Sequence, residues 1–472
     1  MPPVPDLDAL RARQRPFDDA ELALVRSVVS EREWLSEGDE AVLRYALGLA
    51  RLSSLRTPGG EDVDVEPMLA PFREEVARTL VPSLSGRRGP DRRAAAGLAR
   101  DLAAQARSWR TRLSESFPGR LSPDAIDREV CERLLVLVAG GGGGVTWGYL
   151  GAFELLEQYG LAPRLLSGTS MGAVLLLLRA RRARWNPEEV QHAMERLNWR
   201  TLFRFLRTDS RWGLPAALRL YLRAAVGEFL EGPDGHPLSL GQLTVPLIVA
   251  VTGIRNGALP RDPSFYEHLL DGRRDPRRLS SRRYASAIVR AAGELMMQRD
   301  RLARIYLGAD DDTRGFDAVD AVGFSSALPG VIHYDVLRDD ERMHAMLGRL
   351  FERHDLFRLV DGGLIDNLPA RVAWKEVQRG ALGSRNAFVL ALEGFGPKLT
   401  QPLWYGLEKL AAKTVARNLD FVHHRRSFRR VLSPAEVVPK PRHLARAIRA
   451  GKSELHPDMP FVARMCRPFR PV

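Results

Sequence analysis

Hydrophobic residues follow two different spacings along this chain, and the change between them divides it. In the first 128 residues, apolar positions recur every three or four residues, as in Ala20–Val29 and Ala41–Ala50, which predicts amphipathic helices. A stretch rich in Gly, Pro and Arg at 83–93 precedes a further helical pattern at 94–113. We therefore expect residues 1–128 to form a helical N-terminal extension that packs on the rest of the protein or on a partner.

From Leu134 onwards, short apolar runs alternate with helical patterns. Strands are predicted at 134–138, 164–167, 247–251, 356–360 and 387–392, and helices at 147–158 and after residue 171. Such alternation predicts an α/β domain with a mainly parallel sheet. We assign this domain to residues 129–395. An Arg- and Asp-rich segment at about 256–320 has the pattern of an insertion or lid with one amphipathic helix around Ala285–Leu307.

The remaining residues, 396–472, have a helical and strongly basic pattern. In this region Lys and Arg outnumber Asp and Glu by 16 to 5, and they supply most of the chain's net charge of +13. A basic region of this kind suits anionic lipid headgroups or nucleic acid phosphates, and it is equally typical of a solvated surface. We expect a basic helical C-terminal region.

Composition narrows the class of protein. With 472 residues and 45% hydrophobic content, the chain can bury a large core. Two cysteines exclude a disulfide-rich scaffold and a four-cysteine zinc site. The first residues, Met1–Asp6, lack the pattern of a signal peptide, and no apolar run approaches the roughly 20 residues that span a bilayer. We expect a cytoplasmic protein with at most peripheral membrane binding.

Five consecutive glycines, Gly140–Gly144, follow the first predicted strand. They fail the dinucleotide pattern, whose last position falls on Val145, Thr146 or Trp147, and they lack the Gly-Lys-Ser/Thr end of a phosphate-binding loop. Backbone without side chains can also direct its N–H groups at a developing negative charge. The run is therefore a candidate oxyanion loop, which requires a nucleophile nearby.

Two further motifs supply a nucleophile and a base. Residues 168–172 read Gly-Thr-Ser-Met-Gly between a predicted strand and a predicted helix, which is the context of a nucleophile elbow with Ser170 at its apex. Asp361, Gly362 and Gly363 follow another predicted strand, where a carboxylate can reach a site at the edge of the sheet. An Asp-Gly-Gly sequence alone is most often only a turn.

Together and in this order, the three motifs resemble the patatin-like phospholipase family in its bacterial form. The resemblance covers about 134–394, and it includes the sequences at 247–252, 324–331 and 361–369. It implies a three-layer α/β/α fold and a Ser170–Asp361 dyad without histidine. It also implies an oxyanion hole formed by the N–H groups of Gly141, Gly142, Gly143 and Gly144. The glycines that support the serine and aspartate motifs are Gly168, Gly172, Gly362 and Gly363.

The resemblance implies a serine acyl hydrolase that cleaves fatty-acyl esters of phospholipids or lysophospholipids, with no metal and no cofactor. One departure stands out: Val145 and Thr146 occupy the positions of a basic residue and a glycine in the family's loop. The alternative is therefore a catalytically weak or silent member that binds lipid or acts as a scaffold. The sequence does not determine the oligomeric state.

Other candidate functional residues have weaker support in the sequence. His423 and His424 follow Asp361 in the chain order of a Ser-Asp-His triad, but their basic helical context is typical of surface histidines. His333 lies at a possible pocket entrance or is structural. The loop Asp310–Asp312 fails the calcium-loop pattern. We expect the basic C-terminal region, with Trp404, Tyr405, Phe421 and Phe428 at headgroup level, to bind an anionic membrane, and we expect no nucleic acid.

Overall fold

The computed structural model describes residues 6–31, 34–86, 89–190, 198–205, 210–257, 301–394 and 412–472. Its N-terminal part is helical: α1 (Leu7–Ser30), α2 (Glu37–Arg51), α3 (Glu66–Leu84), α4 (Arg92–Ser116) and α5 (Pro123–Cys131). Several of these helices begin at a side chain that accepts a backbone N–H bond, as Asp6 does for α1 and Ser36 for α2. An antiparallel pair, β1 (Ser54–Arg56) and β2 (Asp62–Asp64), lies between α2 and α3.

Helix α1 connects the N-terminal helices to the remainder of the chain. Its Leu24 packs in a core formed by the N-terminal helices themselves. Its Leu22 and Val25 join the largest core of the α/β region, and Leu7 and Leu10 join a third core on the other side of the sheet. The N-terminal extension therefore packs on the rest of this chain through apolar residues on several faces of α1.

The remaining strands are β3 (Leu134–Ala139), β4 (Leu165–Thr169), β5 (Phe203–Phe205), β6 (Ala216–Leu220), β7 (Leu247–Arg255), β8 (Leu302–Leu307), β9 (Gly330–His333), β10 (Leu356–Asp361), β11 (Ala387–Glu393) and β12 (His424–Ser427). The remaining helices are α6 (Gly148–Gln158), α7 (Met171–Ala180), α8 (Trp199–Leu202), α9 (Leu222–Val226), α10 (Asp311–Arg314), α11 (Ala318–Ser325), α12 (Glu341–His354), α13 (Ala370–Gln378), α14 (Pro441–Leu455) and α15 (Met459–Cys466). The strands predicted from the apolar runs are confirmed.

The central sheet is mainly parallel and is covered on both faces. Strand β3 pairs in parallel with β4 and β11, β4 pairs in parallel with β7, and β11 with β12, whereas β8 and β10 run antiparallel to β7. Along β3, Leu135 and Leu137 face one core while Val136 and Val138 face another. This alternation places packed layers on both sides, so the three-layer α/β/α prediction is confirmed. Strands β5, β6 and β9 form a separate small sheet.

The register of β7 brings two strand ends together. The end of β4 pairs with β7 at Thr169 and Ala250, and the end of β10 pairs with β7 at Asp361 and Val251. Because β8 pairs with the same part of β7, it takes the opposite edge. Strands β4 and β10 therefore run towards each other along one edge of β7 and end at neighbouring positions.

The prediction for the segment at 256–320 was wrong in its C-terminal part. Residues 302–307, which we predicted to end an amphipathic helix, form strand β8 in the central sheet. Helix α11 then follows as a buried element, so residues 318–320 belong to the core and not to an insertion. The predicted helical residues 285–300 lie outside the described part of the chain.

The C-terminal region is also not the purely helical tail that we predicted. Its β12 adds a strand to the central sheet, α14 packs on α6, and α15 packs on α1. Phe421 and Phe428 are 6% and 0% exposed, so their predicted position at lipid headgroups is wrong. Trp404 and Tyr405 lie outside the described residues. In the part of the chain that the structure describes, no helix is long and apolar enough to cross a membrane.

Candidate active site

Ser170 lies at a sharp bend between β4 and α7. Its φ of +53° and ψ of −136° are rare for a residue with a side chain, and they are typical of the strained turn of a nucleophile elbow. Glycines make room for this bend: a Cβ at Gly172 would lie 2.4 Å from the carbonyl oxygen of Gly140, and one at Gly168 would lie 2.8 Å from Ala173 Cα. The bend places Ser170 directly before the N-terminus of α7, where the helix dipole favours negative charge.

A second serine holds the elbow in position. The Ser170 backbone N–H donates to Ser325 Oγ at 2.8 Å, and the Ser325 hydroxyl donates to the Ala250 carbonyl oxygen at 2.6 Å. Ser325 is fully buried in α11 and so connects the elbow to β7. Sequence analysis did not assign this residue a role. Its only signal was its place in the small-residue stretch at 324–331.

Asp361 ends β10 and faces the elbow. The Ser170 hydroxyl donates to Asp361 Oδ2 at 2.6 Å, and the Gly363 N–H donates to Asp361 Oδ1 at 2.7 Å. The Thr252 hydroxyl donates to the Asp361 carbonyl oxygen at 2.9 Å and fixes its backbone. Gly362 is needed at this turn because a Cβ there would lie 2.1 Å from the Ala250 carbonyl oxygen. The structure thus brings together two residues that the sequence singled out 191 positions apart.

Burial sets the basicity of this carboxylate. Asp361 is 6% exposed, and removal from water raises its pKa from 3.8 to about 6, although the hydrogen bonds from Ser170 and Gly363 act in the opposite direction. A base with a pKa near 6 is ionised at neutral pH and still accepts a proton far better than an exposed aspartate. The site therefore has the two properties that a serine nucleophile requires of its base.

The five glycines form a tight loop beside Ser170. A one-turn 3-10 helix spans Gly143–Trp147, and Gly142 and Gly143 line the cavity at Ser170. The Gly144 N–H donates to the Pro434 carbonyl oxygen at 3.0 Å, so it is not free to bind a ligand. Within the described residues, the N–H groups of Gly141, Gly142 and Gly143 have no hydrogen-bond acceptor. Of the four predicted donors, three thus remain available.

The C-terminal region explains why side chains are excluded from this loop. A Cβ at Gly143 would lie 2.2 Å from the Pro434 carbonyl oxygen, and Gly143 also has a φ of +53°. A Cβ at Gly144 would lie 2.2 Å from the Ser433 carbonyl oxygen. The segment at 433–436 therefore packs directly on the oxyanion loop. Sequence analysis, which treated residues 396–472 as a separate region, missed this contact.

Val145 and Thr146 are structural at the positions where the family carries a basic residue and a glycine. Both side chains are buried, and the Thr146 hydroxyl donates to the Gly143 carbonyl oxygen at 2.8 Å, which closes the loop on itself. Among the described residues that line the cavity, none has a cationic side chain. Negative charge at this site would therefore be stabilised by neutral N–H groups and the α7 dipole alone.

The cavity in front of Ser170 is deep and apolar. It has a volume of about 300 Å³, and its wall includes these aliphatic side chains: Val174, Leu175, Leu178, Leu202, Leu218 and Leu220. Trp199 also lines it and is 51% exposed, so the cavity reaches the surface beside α8. A pocket with this lining suits a hydrocarbon chain, with the reacting polar group held at Ser170.

The candidate histidines lie away from this site. His423 is 4% exposed, so its predicted surface position was wrong. It accepts a hydrogen bond from the Val389 N–H, and burial lowers its pKa to about 4. His424 lies in β12 and pairs with Asp458. His333 is fully buried, its Nδ1 lies 2.9 Å from the Leu214 carbonyl oxygen, and it does not line the cavity. None of the three contacts Ser170.

The predicted acidic loop is a helix cap. Asp310 Oδ1 accepts the Thr313 N–H at 3.0 Å at the start of α10, and Asp312 pairs with Arg353. In the described ranges, no group of three or more His, Cys, Asp or Glu side chains could hold a metal ion.

A mainly parallel sheet with a serine elbow at a strand end defines the class of α/β proteins built around an exposed nucleophile. The family model of patatin-like phospholipases matches residues 137–374, which is half of the chain. This chain belongs to the patatin-like phospholipase family, and its membership implies lipid acyl hydrolase activity. A search of curated proteins finds no match to the chain.

Proposed function

We propose that the protein is a serine acyl hydrolase that uses a Ser170–Asp361 dyad to cleave fatty-acyl esters of phospholipids or lysophospholipids. The observation that carries the proposal is the 2.6 Å hydrogen bond from the Ser170 hydroxyl to Asp361, both of which line an apolar cavity. Family membership supports the hydrolysis of lipid esters, and the cavity supports an acyl chain as the part of the substrate that enters.

The proposed first half of the reaction acylates the serine. Ser170 Oγ attacks the ester carbonyl carbon while its proton passes to Asp361 Oδ2. The carbonyl oxygen becomes an oxyanion that the N–H groups of Gly141, Gly142 and Gly143 would stabilise, since none of them has an acceptor among the described residues. The C–O bond of the ester then breaks, and Asp361 returns the proton to the leaving alcohol oxygen.

The second half regenerates the enzyme. Water attacks the acyl carbon and gives a proton to Asp361, and the oxyanion forms again in the same place. When the bond to Ser170 Oγ breaks, Asp361 returns the proton to that oxygen, and the fatty acid leaves. A pKa of about 6 suits Asp361 for both directions of transfer, because it is ionised before each attack and protonated after it.

The lipid surface is proposed to meet the protein at the open side of the cavity and not at Phe421 or Phe428, which are buried. Trp199 is half exposed there, and Arg200 and Arg204 beside it are exposed. An aromatic ring between cationic side chains suits the interface of a membrane that contains anionic lipid.

Substrate profiling tests the proposal. We expect long-chain lysophospholipid and phospholipid esters to be hydrolysed, and Ser170→Ala to lose about 10³-fold or more of the activity. Each methylene buried in the cavity contributes about 0.8 kcal/mol, so kcat/KM for a homologous ester series should rise about fourfold per carbon. A cavity of about 300 Å³ holds the volume of roughly ten waters, so the rise should end near ten carbons.

A catalytically silent, lipid-binding member is the alternative, and the buried Val145 and Thr146 in the loop are the observation that favours it. In that case wild-type protein and Ser170→Ala would bind the same lipids and neither would hydrolyse any of them. Equal residual hydrolysis by both proteins would contradict the role of Ser170 directly.

A further inference from the structure

One buried amide in the wall of the cavity has no partner for its hydrogens. Asn367 is 1% exposed, it lines the same cavity as Ser170 and Asp361, and its Nδ2 has no hydrogen-bond partner within the described residues. Buried side-chain amides are normally bonded, because an unsatisfied N–H loses its water without replacement. In this orientation Oδ1 is the amide atom next to Gly141 and Gly363, and Nδ2 is the atom without a partner. A half-turn of the amide would therefore move an unpartnered donor to the side of the glycine loop.

The backbone holds the Asn367 side chain between the glycine loop and the turn that follows Asp361. The Asn367 N–H donates to Thr414 Oγ1 at 3.2 Å, and its carbonyl oxygen packs against Gly140. The side-chain oxygen of Asn367, Oδ1, lies close to two glycines. A Cβ added at Gly141 would lie 2.8 Å from this oxygen, and a Cβ added at Gly363 would lie 3.0 Å from it. The same added Cβ at Gly141 would lie 3.0 Å from Ser170 Cβ. The amide thus adjoins both the oxyanion loop and the turn after Asp361.

Other polar side chains in the cavity wall already have partners. The Ser326 hydroxyl donates to the Val322 carbonyl oxygen at 2.9 Å, and Trp147 Nε1 donates to the Val437 carbonyl oxygen at 3.1 Å. The described residues of the lining include no cation, and the loop lacks the family's basic residue at Val145. The oxyanion of the proposed reaction would therefore gain most from an additional neutral donor close to the glycine loop.

We propose that Asn367 is a further catalytic residue whose side-chain NH₂ donates to the oxyanion alongside the Gly141–Gly143 N–H groups. A half-turn of the planar amide exchanges its nitrogen and oxygen within the same volume, so the NH₂ can be presented to the cavity when negative charge forms. No bond is made or broken at Asn367, and no proton leaves it. This inference rests on the proposed acyl hydrolysis and adds a side chain to its oxyanion hole.

The test compares a transition-state analogue with a ground-state analogue. A long-chain alkyl trifluoromethyl ketone adds reversibly to a serine and forms an oxyanion, whereas the corresponding secondary alcohol occupies the cavity without forming one. We expect Asn367→Leu to weaken the ketone about 10²-fold to 10³-fold, to lower kcat by a similar factor, and to leave the affinity of the alcohol within about threefold.

Two further variants separate catalysis from folding. Asn367→Ala removes the amide without adding charge or bulk, so it should lose ketone affinity even if Asn367→Leu folds poorly. Asn418→Leu removes a different buried amide, which donates to Asp366 Oδ1 and does not line the cavity. This control should lower the unfolding midpoint while the ratio of ketone to alcohol affinity stays as in wild type.

The outcomes distinguish the two proposals. If wild type hydrolyses esters and Asn367→Leu binds the ketone as tightly as wild type, the role of Asn367 is overturned and the dyad stands. If Asn367→Leu weakens ketone and alcohol equally, the residue only shapes the cavity, which also overturns the role. If wild type neither hydrolyses esters nor binds the ketone more tightly than Ser170→Ala does, both proposals fail.

Discussion

Asp361 combines burial with hydrogen bonds that would normally accompany an ionised carboxylate. Its two side-chain oxygens accept from Ser170 and Gly363, yet the loss of hydration outweighs them and raises the pKa to about 6. Among the residues that the structure describes, no histidine is hydrogen-bonded to this pair. In the proposed reaction, the ionisation of this carboxylate would set the pH range in which the serine is activated.

Activity should therefore depend on the ionisation of Asp361. Because only the carboxylate accepts the serine proton, log(kcat/KM) should rise with a slope of one as pH increases towards about 6 and should be level above it. A pH titration of hydrolysis from pH 4 to 8 measures this directly. Asp361→Asn should lower the plateau by about 10²-fold to 10⁴-fold, and a variant with full activity would exclude the aspartate as the base.

Local motifs identified Ser170 and Asp361 because each stands in a short pattern that its own neighbours complete. Ser325 and Asn367 lie in the stretches at 324–331 and 361–369 that resemble the family, but neither stretch indicates what these two side chains contact. Ser325 acts on the Ser170 N–H, 155 positions away, and Asn367 meets Gly141 only after the strands have assembled. Side chains whose function depends on a distant backbone group leave no local signal that a single sequence could reveal.

Among the elements, the glycine loop has a second reason for its composition. We predicted backbone donors for an oxyanion, but the loop also receives the segment at 433–436, whose carbonyl oxygens approach Gly143 and Gly144 closely. That segment is more than 280 residues away in sequence, as the 290-residue separation of the Trp147–Val437 hydrogen bond illustrates. The loop is thus a packing surface as well as a candidate oxyanion hole.

Gly144→Ala tests this packing. The new Cβ would lie 2.2 Å and 2.5 Å from the carbonyl oxygens of Ser433 and Glu436, so we expect a loss of about 1–3 kcal/mol in the free energy of unfolding and a loss of hydrolysis. Gly97→Ala is the control: it lies in α4 with no atom within 4 Å, and it should gain about 0.5–1 kcal/mol. Urea unfolding that ranks the two variants the other way would contradict the packing account.

Two strands of the central sheet, β8 and β12, escaped sequence analysis for identifiable reasons. Strand β8 reads Leu-Ala-Arg-Ile-Tyr-Leu, whose apolar spacing fits one face of a helix as well as a strand, and we chose the helix. Strand β12 reads His-Arg-Arg-Ser and has no apolar residue at all. It joins the sheet through backbone pairing with β11, so its side chains could not predict it.

At the scale of the whole molecule, a buried cluster of charges connects the N-terminal helices to the α/β region. Asp18 of α1 pairs with Arg51 of α2 at 2.8 Å and with Arg133, just before β3, at 2.9 Å. Arg51 also donates to Asn386, next to β11. Burial raises the pKa of Asp18, but its interactions with His423, Arg51 and Arg11 outweigh burial and hold the pKa well below its usual value. Such a cluster makes the helical extension an integral part of the fold.

Asp18→Asn should therefore destabilise the whole protein. It takes one carboxylate from the buried Arg11, Arg51 and Arg133 and leaves Glu21 as the remaining partner of the latter two. We expect a cost of about 3–5 kcal/mol, in a single unfolding transition shared by all regions. Asp19→Asn next to it is the matched control, because Asp19 pairs with Arg15 in an exposed position and should change stability by less than about 1 kcal/mol. Guanidinium unfolding of both variants measures the difference.

The C-terminal region, like the N-terminal helices, is an integral part of the fold. Truncation after Gly396 would remove β12, the segment at 433–436 and α14, so it would disturb the sheet and the oxyanion loop together. Lipid binding of such a truncated protein would not isolate a membrane contact. The basic composition suggested a separable tail because charge is visible in the sequence, while the contacts that integrate it are long-range.

Covalent labelling tests the central claim most directly. An alkyl fluorophosphonate should form one adduct on the protein, and peptide mass spectrometry should locate it at Ser170. Ser170→Ala should remain unlabelled, and Asp361→Asn should react about 10²-fold to 10⁴-fold more slowly than wild type. An adduct on another residue, or equal labelling rates for Asp361→Asn and wild type, would contradict the Ser170–Asp361 dyad.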